Sequence, residues 1–307
     1  MNSAIEHFLL TSKLTQRFYQ VPASDLNSND TSPFFIIGSG RSGNTLLRRL
    51  LNNHSQLYIP PETYVLGRII GHYIRHPSLT WQELVFLTLS NFQFDEEFST
   101  FHLPSLNKLA IELKTLPQDK QSLAMILNSF YKFYQSHHKL QGKRWGDKTP
   151  YNTFHLDRIM GVFPTAQFIH IVRNPYDATS SYLKSGIYNK FEDAAERWFQ
   201  SVELSCQFGR KYPLQYIEIN YNVLVTSPEL TLRKICEFLQ VSFEDNMLKA
   251  PPTLLGDVEE HSHHANVMQD INTQHIGKGL KSLSSDQIKY IQSKVNSSKY
   301  SSITNFS

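Results

Sequence analysis

Two cysteines in 307 residues, Cys206 and Cys236, are too few for a disulfide framework. The fold must hold by burial, and the thiols fit a reducing compartment, so a cytoplasmic location is expected. No apolar run approaches the length of a membrane span. Near the start, Phe8-Leu9-Leu10 is broken at once by polar residues, so neither a signal peptide nor a transmembrane helix is expected. Charge of neither sign dominates: 30 Lys and Arg against 27 Asp and Glu leave a formal net charge of +3. Nucleic acid is therefore not an expected partner, because phosphate-backbone binding calls for a strongly basic surface. Any anion site has to come from local arrangement. Internal repeats and low-complexity tracts are also missing, which excludes a repeat architecture.

What remains has globular composition, 40% hydrophobic and 19% charged, in a chain long enough to bury a sizeable core. It is organised around residues 34–47. Phe34-Phe35-Ile36-Ile37 reads as a short buried strand, Gly38 to Gly43 as a Gly/Ser-rich turn, and Thr45 with Leu46, Leu47, Leu50 and Leu51 as the start of a helix. Strand, glycine loop and helix make an anion cradle, because the unpaired N–H groups of a helix N-terminus face the loop with partial positive charge. Gly38 and Gly43 have the spacing of G-x-x-x-x-G-K-[ST], but Asn44 stands where the lysine belongs. That lysine reaches the β- and γ-phosphates in ATP-hydrolysing proteins. Here the strong cation is Arg41, inside the loop. The pattern predicts a site for a phosphate-like group that is poorly built for ATP hydrolysis. A plain turn between buried elements is the alternative.

Along the chain, residues 1–32 read as an N-terminal extension, a short helix and then a polar linker, with the main domain spanning 33–300 and a tail at 301–307. Leu57-Tyr58-Ile59 reads as a second strand, ended by Pro60-Pro61 and followed by Glu62. Residues 63–142 form a mostly helical insertion, with apolar spacing in Trp81–Phe94 and in Leu123–Tyr134, the latter capped by Gln118-Asp119. Gln167–Val172 reads as a buried strand ending at Arg173-Asn174-Pro175, with the proline opening a helix that carries Asp177, Ser180, Ser181 and Tyr182. Arg173 and Ser181 then converge on one anion beyond the strand's carboxyl end, where open α/β sheets bind ligands. Phe191–Lys211 is a long helix, Leu214–Ile219 a strand, and Pro228–Leu239 an amphipathic helix with Leu230, Ile235, Phe238 and Leu239 on one side. Residues 250–282 read as loop, and Ser284–Val295 as a last helix. Strands alternating with helices predict an α/β fold, a P-loop-type three-layer arrangement with a mainly parallel central sheet flanked by helices.

Four stretches together resemble the PAPS-dependent sulfotransferases, where PAPS is 3′-phosphoadenosine 5′-phosphosulfate. Gly40-Arg41-Ser42-Gly43-Asn44-Thr45-Leu46-Leu47, with Asn53-His54 and Glu62 beyond it, resembles the 5′-phosphosulfate loop of the bacterial and tyrosylprotein branch. Ile171-Val172-Arg173-Asn174-Pro175, with Ser181 eight residues after Arg173, resembles the 3′-phosphate motif. Gly146-Asp147-Lys148-Thr149-Pro150 resembles the segment carrying the family's lysine, and Tyr221–Val225 with Pro228 and Leu232–Leu239 resembles its Y-E-D-L-V segment. The likeness runs in order over roughly residues 33–295.

The resemblance implies roles. Arg41 contacts sulfate and 5′-phosphate, and Ser42, Gly43, Asn44 and Thr45 hold the 5′-phosphate. Glu62, 21 positions after Arg41, is the general base. Lys148 stabilises the transferring sulfuryl group, Arg173 and Ser181 bind the 3′-phosphate, and Tyr221 and Lys278 touch the nucleotide. The implied partner is a hydroxyl-bearing acceptor, which is a small molecule, sugar, lipid or peptide. The implied chemistry uses PAPS as donor and no metal, in keeping with the missing lysine at Asn44. A homodimer is admitted by the sequence and not specified by it.

Three positions depart from the family pattern: Gly40 for proline, Asn44 for threonine, and Asn222 for the acid after Tyr221. Taken alone, Lys148 reads as a surface charge and Glu62 as a solvated loop carboxylate, since both residue types are rarely buried unless paired. His261, His263 and His264 invite a zinc site but lack partners at ligand spacing, and read as surface-loop histidines. Two rival functions stand beside the transferase: a P-loop kinase or nucleotidase, and a nucleotide-binding homologue without catalysis.

Overall fold

Four apolar residues in a row suit a strand enclosed on both faces. Phe34–Ile37 forms that strand, β1, with all four side chains buried. The computed structural model describes residues 32–140, 142, 144–249 and 271–297. Four further strands join β1: β2 (Leu57–Tyr58), β3 (Arg144–Asp147), β4 (Gln167–Val172) and β5 (Tyr216–Asn220). Every pairing is parallel, and the order across the sheet is β2-β3-β1-β4-β5. The central strand is thus the one that runs into the glycine loop. Its neighbours β3 and β4 deliver Lys148 and Arg173 to the same carboxyl edge, on opposite sides of that loop.

The helices are α1 (Asn44–Asn52), α2 (Leu66–Arg75), α3 (Trp81–Gln93), α4 (Asn107–Lys114), α5 (Leu123–His137), α6 (Leu156–Val162), α7 (Pro175–Lys184), α8 (Phe191–Lys211), α9 (Tyr221–Thr226), α10 (Pro228–Leu239), α11 (Lys278–Ser282) and α12 (Ser285–Asn296). Alternation along β1 divides the core. Phe35 and Ile37 pack with residues of α2 to α6, whereas Phe34 and Ile36 pack with α1, α9 and α10. Helices cover both faces, which gives three layers.

Arg144 fastens the opposite end of the sheet. It is buried, with Nε donating to the Ser32 carbonyl at 2.6 Å, Nη1 to Leu239 at 2.9 Å and Nη2 to the Gln167 side chain at 2.7 Å. Burial lowers its pKa to about 10. Beside it, Trp145 stacks on Tyr131 with ring centroids 3.7 Å apart and planes within 4°, so β3 is fixed against α5.

Several sequence expectations are corrected. Leu230 lies on the solvent side of α10, 68% exposed, and the buried stripe is Thr231, Leu232, Ile235, Cys236 and Leu239. Helix α5 is capped by the Ser122 hydroxyl, which accepts from Met125 N, while Gln118–Lys120 forms its own 3-10 turn. Residues 213–215 also form a 3-10 turn, because Pro213 suits a helical first turn, and the strand begins at Tyr216. The segment read as loop up to residue 282 contains α11. The expectations for the N-terminal extension (except Ser32), for His261, His263 and His264, and for the tail fall outside the described residues.

Candidate active site

The loop from Gly38 to Gly43 turns β1 into α1. At Gly43 the backbone has φ 99°, and a Cβ there would stand 2.5 Å from the Tyr221 ring, so only glycine lets the aromatic ring close onto the loop. Arg41 adopts φ 61° although it carries a side chain. That left-handed conformation costs roughly 1–2 kcal/mol, and the contacts around it hold it there. Arg41 Nε donates to Ser181 Oγ at 3.1 Å, and its carbonyl accepts from Arg173 Nη1 at 3.1 Å. Asn44 braces the loop from within, its Nδ2 donating to the Ser39 carbonyl at 2.7 Å. Its amide nitrogen is therefore committed to the loop rather than turned outward.

Arg173 stands at the end of β4. Its second terminal nitrogen, Nη2, donates to the His275 carbonyl at 2.6 Å. Asp177, on α7, accepts from Gly277 N at 2.9 Å and Gly279 N at 2.6 Å. These bonds draw the segment from His275 to α11 over the cluster, with Lys278 exposed at its start. Burial, and then the neighbouring Arg173, lowers the Arg41 pKa, and burial lowers that of Arg173. His275 is held below its usual range by burial and by Lys278, Arg173 and Arg41. Cations so crowded are short of negative charge. Buried Ser42 Oγ and Arg173 Nε have no hydrogen-bond partner among the described residues. A buried unsatisfied donor is costly, and a phosphate-bearing ligand fits both.

On the other side of the loop, Lys148 is fully buried. Its ammonium donates to Glu62 Oε1 and, at 3.3 Å, to Thr45 Oγ1. Glu62 is only 7% exposed, so neither residue is the solvated charge that it would be alone. The expected residues therefore fall into two groups joined by one loop: Arg41, Ser181, Arg173 and Tyr221 on the β4 side, and Thr45, Lys148 and Glu62 on the β3 side.

Sequence reasoning missed three supports. Thr153 Oγ1 accepts from Gly38 N at 3.0 Å, and nothing local in the sequence marks it. Asp177 is tied to its role by the Gly277-Lys278-Gly279 turn, whose amides need an acceptor. Tyr182 OH lies 3.1 Å from Ser39 Oγ. Away from the loop, His170, Cys206 and Glu218 place ligand-type atoms within 4.8 Å of one another. They are joined by hydrogen bonds, with Tyr216 OH 2.6 Å from His170 Nδ1 and 3.1 Å from Glu218 Oε2. Both cysteines are free thiols, and no helix among the described residues is long and apolar enough to cross a membrane.

A family model described as the sulfotransferase family matches residues 33–245, which hold every residue of both groups. The chain belongs to the sulfotransferase family. An uncharacterised protein of Aquifex aeolicus is 26% identical over 71% of this chain, an alignment that spans only 26% of the Aquifex protein. Protein-tyrosine sulfotransferase A of Caenorhabditis elegans is 22% identical over 88% of this chain and 68% of its own length. Among solved structures, the sulfotransferase domain from the Synechococcus PCC 7002 olefin synthase superposes with a TM-score of 0.58, at 23% identity, over 88% of this chain and 96% of the domain. The chain thus shares that domain's fold, in keeping with its parallel sheet flanked by helices.

Proposed function

We propose that this sulfotransferase moves a sulfuryl group from PAPS to a hydroxyl acceptor and releases adenosine 3′,5′-bisphosphate. The observation that supports the reading is the buried contact of Lys148 with both Glu62 and Thr45, in the first turn of α1, which brings a carboxylate and a cation together beside the glycine loop.

In this reading the 5′-phosphosulfate lies against the loop amides and the Ser42, Thr45 and Arg41 side chains, where the helix N-terminus also favours negative charge. Arg173, Ser181 and Lys278 receive the 3′-phosphate, and the Tyr221 ring borders the nucleotide. The acceptor oxygen forms a bond to sulfur as the bond from sulfur to the 5′-phosphate oxygen breaks. The acceptor proton passes to the buried Glu62 carboxylate as general base. Negative charge grows on the departing oxygen, and Arg41 and Lys148 stabilise it in a site with little water. Phosphoryl transfer through a loose transition state is the nearest parallel, and it too depends on positioning and charge.

Calorimetric titration with adenosine 3′,5′-bisphosphate, run beside ATP with Mg²⁺, tests the donor class. Preferential binding of the bisphosphate is expected. Binding of ATP alone would overturn the reading in favour of a P-loop kinase. The acceptor class is then found by offering labelled PAPS with phenols, sugars, lipid alcohols and tyrosine peptides.

A further inference from the structure

Asp147 is the buried carboxylate that the reaction above leaves without a role. It closes β3 and is 1% exposed. Oδ2 accepts from Thr63 Oγ1 at 3.0 Å and from Tyr131 OH at 2.7 Å, and Oδ1 accepts from Asn152 Nδ2 at 2.7 Å. Thr63 is tied a second time, its backbone N–H donating to Thr149 Oγ1 at 2.9 Å. One carboxylate therefore joins the Glu62–Thr63 segment, α5 and the 3-10 turn Pro150–His155. It is the residue beside Lys148, and its partner Thr63 is the residue beside Glu62.

Such a carboxylate is costly to keep. Burial pushes the Asp147 pKa up, and the nearby Glu62 charge pushes the same way. Well-packed neutral residues commonly replace buried charges without loss of stability. Cohesion alone gives little reason for an acid here, whereas placement does. The Glu62–Lys148 ion pair cannot itself keep Glu62 aimed during the reaction, because Lys148 is drawn to the negative donor as it binds. A restraint on Glu62 has to act through other atoms, and the Thr63–Asp147 and Thr63–Thr149 bonds are such a restraint. Tyr131 is held by its stack on Trp145, so the restraint is anchored to the core.

We propose that Asp147 is a positioning residue, which through Thr63 holds the Glu62 carboxylate in place at the moment Lys148 leaves it for the donor. This rests on the reading of Glu62 as the base. The groups that face Glu62 are Lys148, with Thr45 behind it, and Asp147.

The test uses the full chain and three variants. Thr63→Val deletes the hydroxyl that Asp147 holds, Thr63→Ser keeps it, and Tyr131→Phe deletes the other hydroxyl on the same oxygen. The carboxyl resonance of Glu62 is followed by carbon-13 NMR with adenosine 3′,5′-bisphosphate added, and is assigned by its loss in Glu62→Gln. In Thr63→Val that resonance is expected to move by more than its linewidth in the bisphosphate-treated sample, with bisphosphate affinity unchanged, and in Thr63→Ser to return to the wild-type position. With an acceptor in hand, Thr63→Val is expected to lower kcat about tenfold or more with the donor KM unchanged, as misplacement of a reacting group does. If Thr63→Val does not fold, Tyr131→Phe supplies the same comparison. An unmoved Glu62 resonance, or a loss of bisphosphate affinity in step with any loss of kcat, overturns the proposal. Failure of the wild-type chain to bind the bisphosphate counts instead against the donor assignment, since Glu62 placement is read from its own resonance.

Discussion

The Arg173 guanidinium lies over the Tyr221 ring, its Cζ 4.6 Å from the ring centroid. The same ring closes on Gly43, so the cation at the end of β4 and the glycine of the loop both pack on one aromatic group. Nη1 and Nη2 donate to backbone carbonyls, whereas the buried Nε has no hydrogen-bond partner among the described residues.

Arg173 is therefore expected to discriminate by the 3′-phosphate. Arg173→Ala should weaken binding of adenosine 3′,5′-bisphosphate by about 1.5–3 kcal/mol, the usual worth of a charged hydrogen bond. Binding of the 3′-dephospho analogue should change far less. Calorimetry of both ligands decides it, and equal weakening would remove the 3′-phosphate assignment.

Glu62→Gln keeps the shape of the side chain and loses its basicity. Nucleotide binding should persist while turnover falls by about a hundredfold or more, the scale of general base catalysis. Lys148 then faces a neutral amide in a buried place. Removing one partner of a buried pair outright costs about 3–5 kcal/mol, and the retained amide oxygen keeps the loss below that. Parallel loss of binding and turnover would make Glu62 structural.

Gly40 and Tyr182 should behave as a pair. A Cβ on Gly40 would come 2.7 Å from the Tyr182 hydroxyl, which is itself near Ser39. Gly40→Ala is expected to displace the loop and weaken bisphosphate binding, and Tyr182→Phe in the same chain to restore much of it. Additive effects in the double variant would show that the two do not share the space.

His275 supplies a pH dependence. Its pKa lies below the usual value because of burial and the surrounding cations. An incoming bisphosphate reverses that field and favours the protonated ring, so binding should take up protons and His275 should help binding more as pH falls from 8 to 6. The ligand's own phosphates gain protons near pH 6, which acts the other way. The quantity to compare is therefore the pH slope of affinity in wild type and in His275→Gln, and the wild type should show the larger gain on acidification. Identical slopes would count against the prediction.

Much of this was legible in the sequence. The strand Phe34–Ile37, the loop, the helix Phe191–Lys211 and the edge positions of Arg173 and Lys148 follow from short-range patterns, because apolar runs, glycines and Pro175 act locally. The pairing of Lys148 with Glu62 was not legible. Their side chains meet across 86 positions, and only the order of the strands decides that. Thr153 and Asp147 escaped for the same reason, since each acts on a partner brought by another segment. Leu230 was misplaced because a helix face is set by what covers it, and here Thr231 and Cys236 share the covered side. The brace that Asn44 Nδ2 gives the loop through the Ser39 carbonyl was not legible either, because it depends on how the turn folds back on itself.

The placement of β1 between β3 and β4 also bears on how the chain is made. Gly38 is bonded to Thr153, 115 residues later, and Arg41 to Ser181, 140 residues later. Contacts that distant delay folding, because a long loop must close before they form. During synthesis the glycine loop emerges before β3 and Thr153, and the rest of its framework arrives only with β4, α7 and Tyr221. Truncated chains that stop before Gln167 would thus carry the loop's full sequence without Arg173, Ser181 or Tyr221, leaving the β4 side of the apolar Phe34–Ile37 strand as an open edge for chaperones to shield.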